Sequence, residues 1–170
     1  MAKYKWILGG AGLAYAGFGA MIFRDVQKPN TSSHEESYEF DKNQGSYSET
    51  IKEVKKEVIR IPSSMGYYLY AQWMPKEDSN KTIILVHGIT STIYGAMKYY
   101  SLYNDMGFNV LVYDHRNHGK SGGIGTTLGY HEKHDLETCV QWVKEQVGQE
   151  SLVGTHGESM GGATVIQHAA

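Results

Sequence analysis

The sequence predicts an α/β domain built on a mostly parallel sheet, because strand-like runs alternate with segments of helical periodicity after residue 51. The runs from Thr82 to His87 and from Phe108 to Asp114 are largely apolar, which is typical of strands buried on both faces. With 170 residues, 41% of them hydrophobic, the chain is long enough for one domain.

Two further strands are expected ahead of these runs. Val54 to Ile61 and Tyr67 to Met74 flank a turn at residues 62–66 that contains Pro, Ser and Gly. Such a pair forms a hairpin. We therefore expect antiparallel strands at one edge of the sheet.

Helices are expected between the buried strands. One covers Tyr94 to Asp105 and ends at Gly107; the other covers His131 to Val147, where apolar residues recur at helical spacing, and ends at Gly148. A fifth strand follows, from Ser151 to His156.

A Gly-x-Ser-x-Gly motif, Gly157 to Gly161, joins this fifth strand to a helix-like run over residues 162–170. In a strand–turn–helix context this motif exposes the serine hydroxyl on a sharp turn. The turn leaves little room for side chains beside the serine, which accounts for the two glycines. Ser159 is therefore the candidate nucleophile of an acyl transfer, next to the partly positive end of a helix.

The first 28 residues are expected to be a membrane anchor. Residues 6–23 carry no charge, and 18 helical residues rise about 27 Å, close to the thickness of a bilayer core. Lys3 and Lys5 precede the run, which favours a single-pass protein of the cell membrane with a cytoplasmic N-terminus and an extracytoplasmic domain. The alternatives are a cleaved signal peptide, with a site near Ala14 to Ala16, and a buried helix of a soluble protein.

Residues 29–50 are expected to be an exposed polar linker between the anchor and the domain, which covers residues 51–170. From Pro29 to Glu49 there is no aliphatic side chain, and five acidic residues face one lysine. Such a composition does not bury enough apolar surface to order a chain. His34 is therefore expected to be solvated.

Composition excludes some classes of partner. The formal net charge is −2 and no basic block interleaves with aromatic residues, so no nucleic-acid partner is expected. Cys139 is the single cysteine, which excludes a disulfide within the chain. It is expected to be a packed thiol on a helix.

Three ordered motifs carry a family resemblance. His87-Gly88 follows the third strand, the run from Asp114 to Ser121 (DHRNHGKS) follows the fourth, and Gly157–Gly161 follows the fifth. From Val54 to Ala170 the chain resembles the α/β-hydrolase superfamily. It is similar to the membrane-anchored bacterial branch grouped with serine aminopeptidase-like and monoacylglycerol-lipase-like hydrolases. Asn117 stands where that family usually has glycine, and asparagine tolerates the same positive φ better than most residues.

The resemblance implies roles for individual residues. Ser159 would be the catalytic nucleophile, and the backbone N–H groups of Met160 and Ile89 would form the oxyanion hole. Asp114 and Arg116 could pair with each other to hold the loop after the fourth strand, which is called the fourth loop below. The supporting loop residues are His87, Gly88, Asp114, Arg116, His118, Gly119, Gly157 and Gly161.

The family carries its catalytic acid and base after the fifth strand, so only the first five strands of the fold are expected here. We interpret the chain as a C-terminally truncated portion of the enzyme, incomplete and of doubtful activity alone. The histidines that could be weighed as a base are His87, His118, His156 and His168, and none of them is favoured.

The expected function is that of a serine hydrolase that cleaves a carboxylic ester or a small amide or peptide bond through an acyl-enzyme. A non-catalytic remnant or binding module is the alternative. The pairs His115/His118 and His131/His134 are spaced like metal ligands, but the second is one residue short of H-E-x-x-H and the first lies in a family loop. No metal or cofactor is expected.

Overall fold

A computed structural model describes residues 16–47, 51 and 53–170. Its described part contains a mixed sheet of five strands in the order β1-β2-β4-β3-β5. β1 pairs antiparallel with β2, and β2 antiparallel with β4, whereas β3 runs parallel to both β4 and β5. The strands are β1 (Glu57–Pro62), β2 (Tyr68–Met74), β3 (Lys81–Val86), β4 (Asn109–Tyr113) and β5 (Leu152–Gly157). The predicted hairpin and the predicted parallel strands are confirmed.

Helices cover both faces of this sheet. Residues 16–27 are helical and are called α1. The remaining helices are α2 (His34–Asn43), α3 (Ile93–Met97), α4 (Tyr100–Asp105), α5 (Glu132–Val147) and α6 (Met160–Ala169). The single helix expected from Tyr94 to Asp105 is therefore two short helices. Lys98 and Tyr99 lie between these two helices, and the side chains of both contact Glu158. In one regular helix, two consecutive residues would not face the same side.

Side chains alternate between two hydrophobic clusters along the central strands, as the period of a strand requires. Ile84 and Leu111 point into a cluster that contains α5, while Ile83 and Leu85 point into a cluster on the side of α2 and α3. Cys139 lies buried in the first cluster, as expected, and burial raises the pKa of its thiol. Because β3 and β4 are packed against a hydrophobic cluster on each face of the sheet, the positions from which the loops at their carboxyl ends begin are fixed.

Residues 34–43 do not form the exposed linker that composition predicted. They form α2, which begins with a capping box in which the Ser33 hydroxyl and the Glu36 carboxylate each accept the other residue's backbone N–H. Tyr38 is only 4% exposed. His34 is not solvated either: its Nε2 lies 2.6 Å from a carboxylate oxygen of Asp114, which is fully buried.

The expectation failed because it considered aliphatic side chains alone. Aromatic rings bury α2 instead: Tyr38 stacks on Tyr47 and meets Tyr94 edge-on, each at a centroid distance of 5.5 Å. The Ser-x-x-Glu signature at Ser33–Glu36 was the sequence signal for a helix start. The division of the chain at residues 28 and 50 stays a prediction.

The expected membrane anchor lies partly outside the described residues, which begin at residue 16. Among the helices that can be described, none is both long and apolar enough to cross a membrane. Anchoring through residues 6–23 stays a prediction.

We expect His34→Ala to loosen α2 without unfolding the sheet. The change removes a hydrogen bond to a buried carboxylate, and such bonds contribute about 1.5–3 kcal/mol. Amide hydrogen exchange by mass spectrometry should show protection of residues 34–43 falling by roughly tenfold or more, with strands β3 and β4 unchanged. Glu39→Ala, an exposed change on the same helix, serves as control. Unchanged protection in His34→Ala would mean that the contact does not hold α2.

Candidate active site

Ser159 occupies a strained turn between β5 and α6. Its backbone angles are φ 54° and ψ −118°, a region that residues with a side chain seldom adopt. Its side chain is exposed. Such a strained conformation persists only where the surrounding structure holds it in place, and strain of this kind is common at functional positions.

The flanking glycines are required by close backbone packing. A Cβ on Gly157 would lie 2.2 Å from the carbonyl oxygen of Gly161, and a Cβ on Gly161 would lie 2.1 Å from that of Val86. Any side chain at either position would push α6 away from the ends of β3 and β5.

The loop after β3 lies directly beside the serine. A Cβ on Gly88 would lie 3.3 Å from the Cβ of Ser159. Met160 is the first residue of α6, where backbone N–H groups have no partner within the helix. No acceptor in the described part of the chain pairs with the N–H of Met160 or with that of Ile89. Both residues expected to form an oxyanion hole therefore offer a free donor next to Ser159.

His118 positions the loop that carries Ile89. Its Nε2 accepts a hydrogen bond from the N–H of Thr90 at 3.2 Å, so its Nδ1 carries the proton and donates to the carbonyl oxygen of Arg116 at 2.9 Å. The carbonyl oxygen of Thr90 accepts the N–H of Ser32 at 2.8 Å. The loop is thus held from the fourth loop on one side and from the N-terminal segment on the other.

His87 links the ends of β3 and β4 in the same way. Its Nε2 accepts the N–H of His115 at 2.9 Å, and its Nδ1 therefore carries the proton and lies 2.7 Å from the carbonyl oxygen of Gly88. His115 packs edge-on against His87 and His118, and neither of its ring nitrogens has a hydrogen-bond partner among the described residues. These rings form a neutral layer beneath the candidate site.

The carboxylate of Asp114 is fully buried and accepts three hydrogen bonds. Its donors are the N–H of Ile93 and the N–H of Lys120, each at 2.8 Å, and Nε2 of His34. A Cβ on Gly119 would lie 2.2 Å from one of its oxygens, and Gly119 also has a φ of 49°. Asp114 therefore organises the fourth loop around itself, and glycine is required at position 119.

The suggested pairing of Asp114 with Arg116 is not observed. Arg116 donates instead to the carbonyl oxygens of Gly125 and Ile124, at 3.1 and 2.8 Å. The N–H groups that surround Asp114 already satisfy its carboxylate, so the guanidinium is free to hold the next loop. Asn117 adopts φ 60°, the positive value expected where the family usually has glycine.

A cleft of about 340 Å³ opens beside Ser159. The loop after β3 forms one side, and Ser37, Phe40 and Asp41 of α2 form another. An ion pair borders it, with Nζ of Lys98 2.6 Å from a carboxylate oxygen of Glu158. Sequence reasoning missed the side that α2 contributes, because it assigned those residues to a linker.

None of the described histidines hydrogen-bonds to the Ser159 hydroxyl. His156 lies 2.7 Å from the hydroxyl of Tyr103, and His168 lies 2.7 Å from Glu137. The described residues also contain no group of three His, Cys, Asp or Glu side chains placed to hold a metal ion. A base for Ser159 is therefore not found among the described residues.

The histidine layer predicts a loss of stability on acidification. Burial lowers the pKa of His87, His115 and His118, that of His115 to about 3. Below the ordinary value of 6.5 the unfolded chain binds protons that the folded state does not, so the free energy of unfolding falls as the pH drops from 6.5. Each histidine contributes up to about 1.4 kcal/mol per pH unit.

Urea denaturation between pH 7 and pH 5 measures this slope, and His115→Phe should reduce it by about one histidine's share. Because no group in the described part of the chain hydrogen-bonds to the His115 ring nitrogens, an apolar ring should be tolerated there. His134→Gln, which replaces an exposed histidine on α5, should leave the slope as it is. An equal slope in wild type and His115→Phe would contradict a neutral buried His115.

Comparison with known proteins places this site in a family. A family model described as the alpha/beta hydrolase fold matches residues 81–170. The chain is 40% identical over 121 residues to the uncharacterized protein YqkD of Bacillus subtilis (strain 168), covering 71% of this chain and 40% of YqkD. It is 26% identical over 120 residues to the uncharacterized protein YfhR of Escherichia coli (strain K12), covering 69% of this chain and 40% of YfhR. The chain thus spans 40% of the length of each of these relatives.

Among solved structures, the chain resembles the Pyrococcus furiosus esterase Pf2001 with a TM-score of 0.63 and 32% identity, over 71% of this chain and 48% of that one. The family match covers more than half of the chain and includes β3, β4, β5 and the motif that follows each of them. This chain therefore belongs to the alpha/beta hydrolase fold family.

Proposed function

We propose that the chain carries the nucleophile and the oxyanion hole of a serine hydrolase that cleaves carboxylic esters through an acyl-enzyme. The observation that carries this proposal is the strained, exposed Ser159 beside two unpaired backbone N–H groups. An esterase among the similar structures supports an ester over an amide or peptide substrate. The finer assignment to the membrane-anchored, aminopeptidase-like branch stays a prediction.

In the proposed reaction Ser159 Oγ attacks the carbonyl carbon of the substrate while a general base takes its proton. The carbonyl oxygen becomes an oxyanion and accepts hydrogen bonds from the N–H groups of Met160 and Ile89. Collapse of the tetrahedral intermediate expels the alcohol, which takes the proton from the base, and leaves an acyl group on Ser159. Water then attacks this acyl group, which releases the carboxylic acid and restores the Ser159 hydroxyl. Fixed backbone donors stabilise this charge without reorganising, and one such donor can contribute about 3–4 kcal/mol.

The proposed enzyme needs a general base for Ser159 and a carboxylate that orients the base. We propose that sequence beyond Ala170 supplies both, in a longer protein of which this chain is a part. The share of its relatives that the chain spans supports this proposal. The alternative, a non-catalytic binding module, is supported by the lack of a base for Ser159 among the described residues.

We expect Ser159→Ala to lower the hydrolysis of p-nitrophenyl butyrate by the full-length protein by about three orders of magnitude or more, since no other group replaces the nucleophile. Release of p-nitrophenol is followed by absorbance. Ser101→Ala, an exposed serine on α4, is the matched control and should retain activity. Turnover that survives Ser159→Ala would contradict the serine mechanism, and a wild-type protein without turnover would favour the binding module.

We also infer that residues 6–23 hold the protein in the cell membrane with the domain outside. Phe18 and Phe23 are 58% and 63% exposed on α1, and apolar surfaces of this kind are covered by lipid or protein in a functional state. Cell fractionation should find the wild type with the membrane and a variant that lacks residues 1–28 in the soluble fraction. A wild-type protein that is itself soluble, or a domain protected from external protease in intact cells, would contradict this inference.

A further inference from the structure

Asp41 is a largely buried residue whose carboxylate faces the cleft beside Ser159. It lies on α2 and is 8% exposed, and it lines the cleft beside Ser159. In the described part of the chain, no N–H or O–H group donates to its side-chain oxygens; the one hydrogen bond that Asp41 accepts there outside its own helix goes to its backbone carbonyl oxygen, from Ser46. Its carboxylate oxygens are not among the fully enclosed unpaired polar atoms of the described residues, so a bound group can reach them from the cleft. A carboxylate with so little exposure is normally hydrogen-bonded, because loss of water is costly for a charge.

The neighbouring charges do not compensate for this burial. Loss of water raises the pKa of the Asp41 carboxyl, the attraction of Lys98 opposes that rise, and the negative charge of Glu158 adds to it. Lys98 is itself engaged with Glu158 at 2.6 Å. Two carboxylates therefore share one ammonium group at this side of the cleft.

The backbone of α3 packs closely against Ser91 next to Asp41. Gly95 of α3 faces the carboxylate, and a Cβ there would lie 3.6 Å from an oxygen of Asp41 and 2.1 Å from the hydroxyl oxygen of Ser91. Glycine is therefore required at residue 95 by the Ser91 side chain, and it places the backbone of α3 beside the Asp41 side of the cleft.

We propose that Asp41 binds a hydrogen-bond donor of the substrate, a hydroxyl or an ammonium group, while Ser159 attacks the ester carbonyl. This proposal rests on the proposed function and names its substrate class: small esters that carry a donor group. A long alkyl chain in the same cleft would remove water from Asp41 and from the Lys98–Glu158 pair without replacing the lost hydrogen bonds. Asp41 would thus select polar substrates, with Phe40 as an apolar wall beside it.

Binding to full-length protein carrying Ser159→Ala tests the proposal without turnover. Isothermal titration compares methyl butyrate with methyl 3-hydroxybutyrate and methyl 3-aminobutyrate, which place the donor on the acyl side. Propyl butyrate and 2,3-dihydroxypropyl butyrate form the corresponding pair on the alcohol side. We expect at least one donor-bearing ester to bind about tenfold or more tightly than its plain partner, as hydrogen bonds to a charged group typically contribute.

Adding Asp41→Ala should abolish that preference. Asp41→Asn, which keeps the shape and one acceptor oxygen, should abolish a preference for ammonium and retain part of a preference for hydroxyl, so the two variants identify the donor. Glu39→Gln removes a negative charge from an exposed position of the same helix and should leave the preference unchanged. Hydrogen exchange over residues 34–43 verifies that α2 remains docked in each variant.

Two results would overturn the proposal: no preference on either side of the ester, or a preference that survives Asp41→Ala. Failure of the proposed function is recognised separately, in the wild-type protein. There, release of acid from the same esters, followed in a pH-stat, would be absent or would persist in Ser159→Ala.

Discussion

Three segments that are distant in sequence meet at the carboxylate of Asp114. It accepts hydrogen bonds from the start of α3, from the loop after β4 and from His34 at the start of α2. Asp114 itself directly follows β4, a strand packed on both faces. Burial of a carboxylate is unfavourable alone, and several donors together make it favourable. The Asp114 carboxylate at the end of β4 therefore fixes the positions of both the loop beside Ser159 and the helix α2 across the cleft.

The central strands and the turn at Ser159 could be predicted from the sequence, because they depend on interactions between residues that are close in sequence. Continuous apolar runs identified β3 and β4, and the Gly-x-Ser-x-Gly spacing identified the turn that holds Ser159. Residues 157 and 161 must be glycine because backbone oxygens occupy the space that a Cβ would need, and steric needs of this kind are visible in sequence as glycine itself. Asn117 adopts the positive φ that its position in the motif required.

The cleft was less predictable, because it depends on contacts between distant residues. Nothing in the composition of residues 29–50 indicated that His34 reaches Asp114, 80 positions away. The suggested pairing of Arg116 with Asp114 was also wrong. A motif shows which residues are near in sequence, but it does not show which backbone donors already surround a carboxylate. The single helix expected over Tyr94–Asp105 is interrupted at Lys98 and Tyr99. Both side chains contact Glu158, again a contact between distant parts of the chain.

The long separation between His34 and Asp114 also leads to an expectation about the order of folding. Closing a loop of this length carries an entropic cost that local contacts do not, and contacts of high sequence separation form slowly. The β1–β2 hairpin joins neighbouring strands through a short turn, and such units can form early. The docking of α2 requires the end of β4 to exist first. We therefore expect the sheet and the turn at Ser159 to assemble before the cleft has its second wall, so that the proposed binding role of Asp41 becomes available only in the last step of folding.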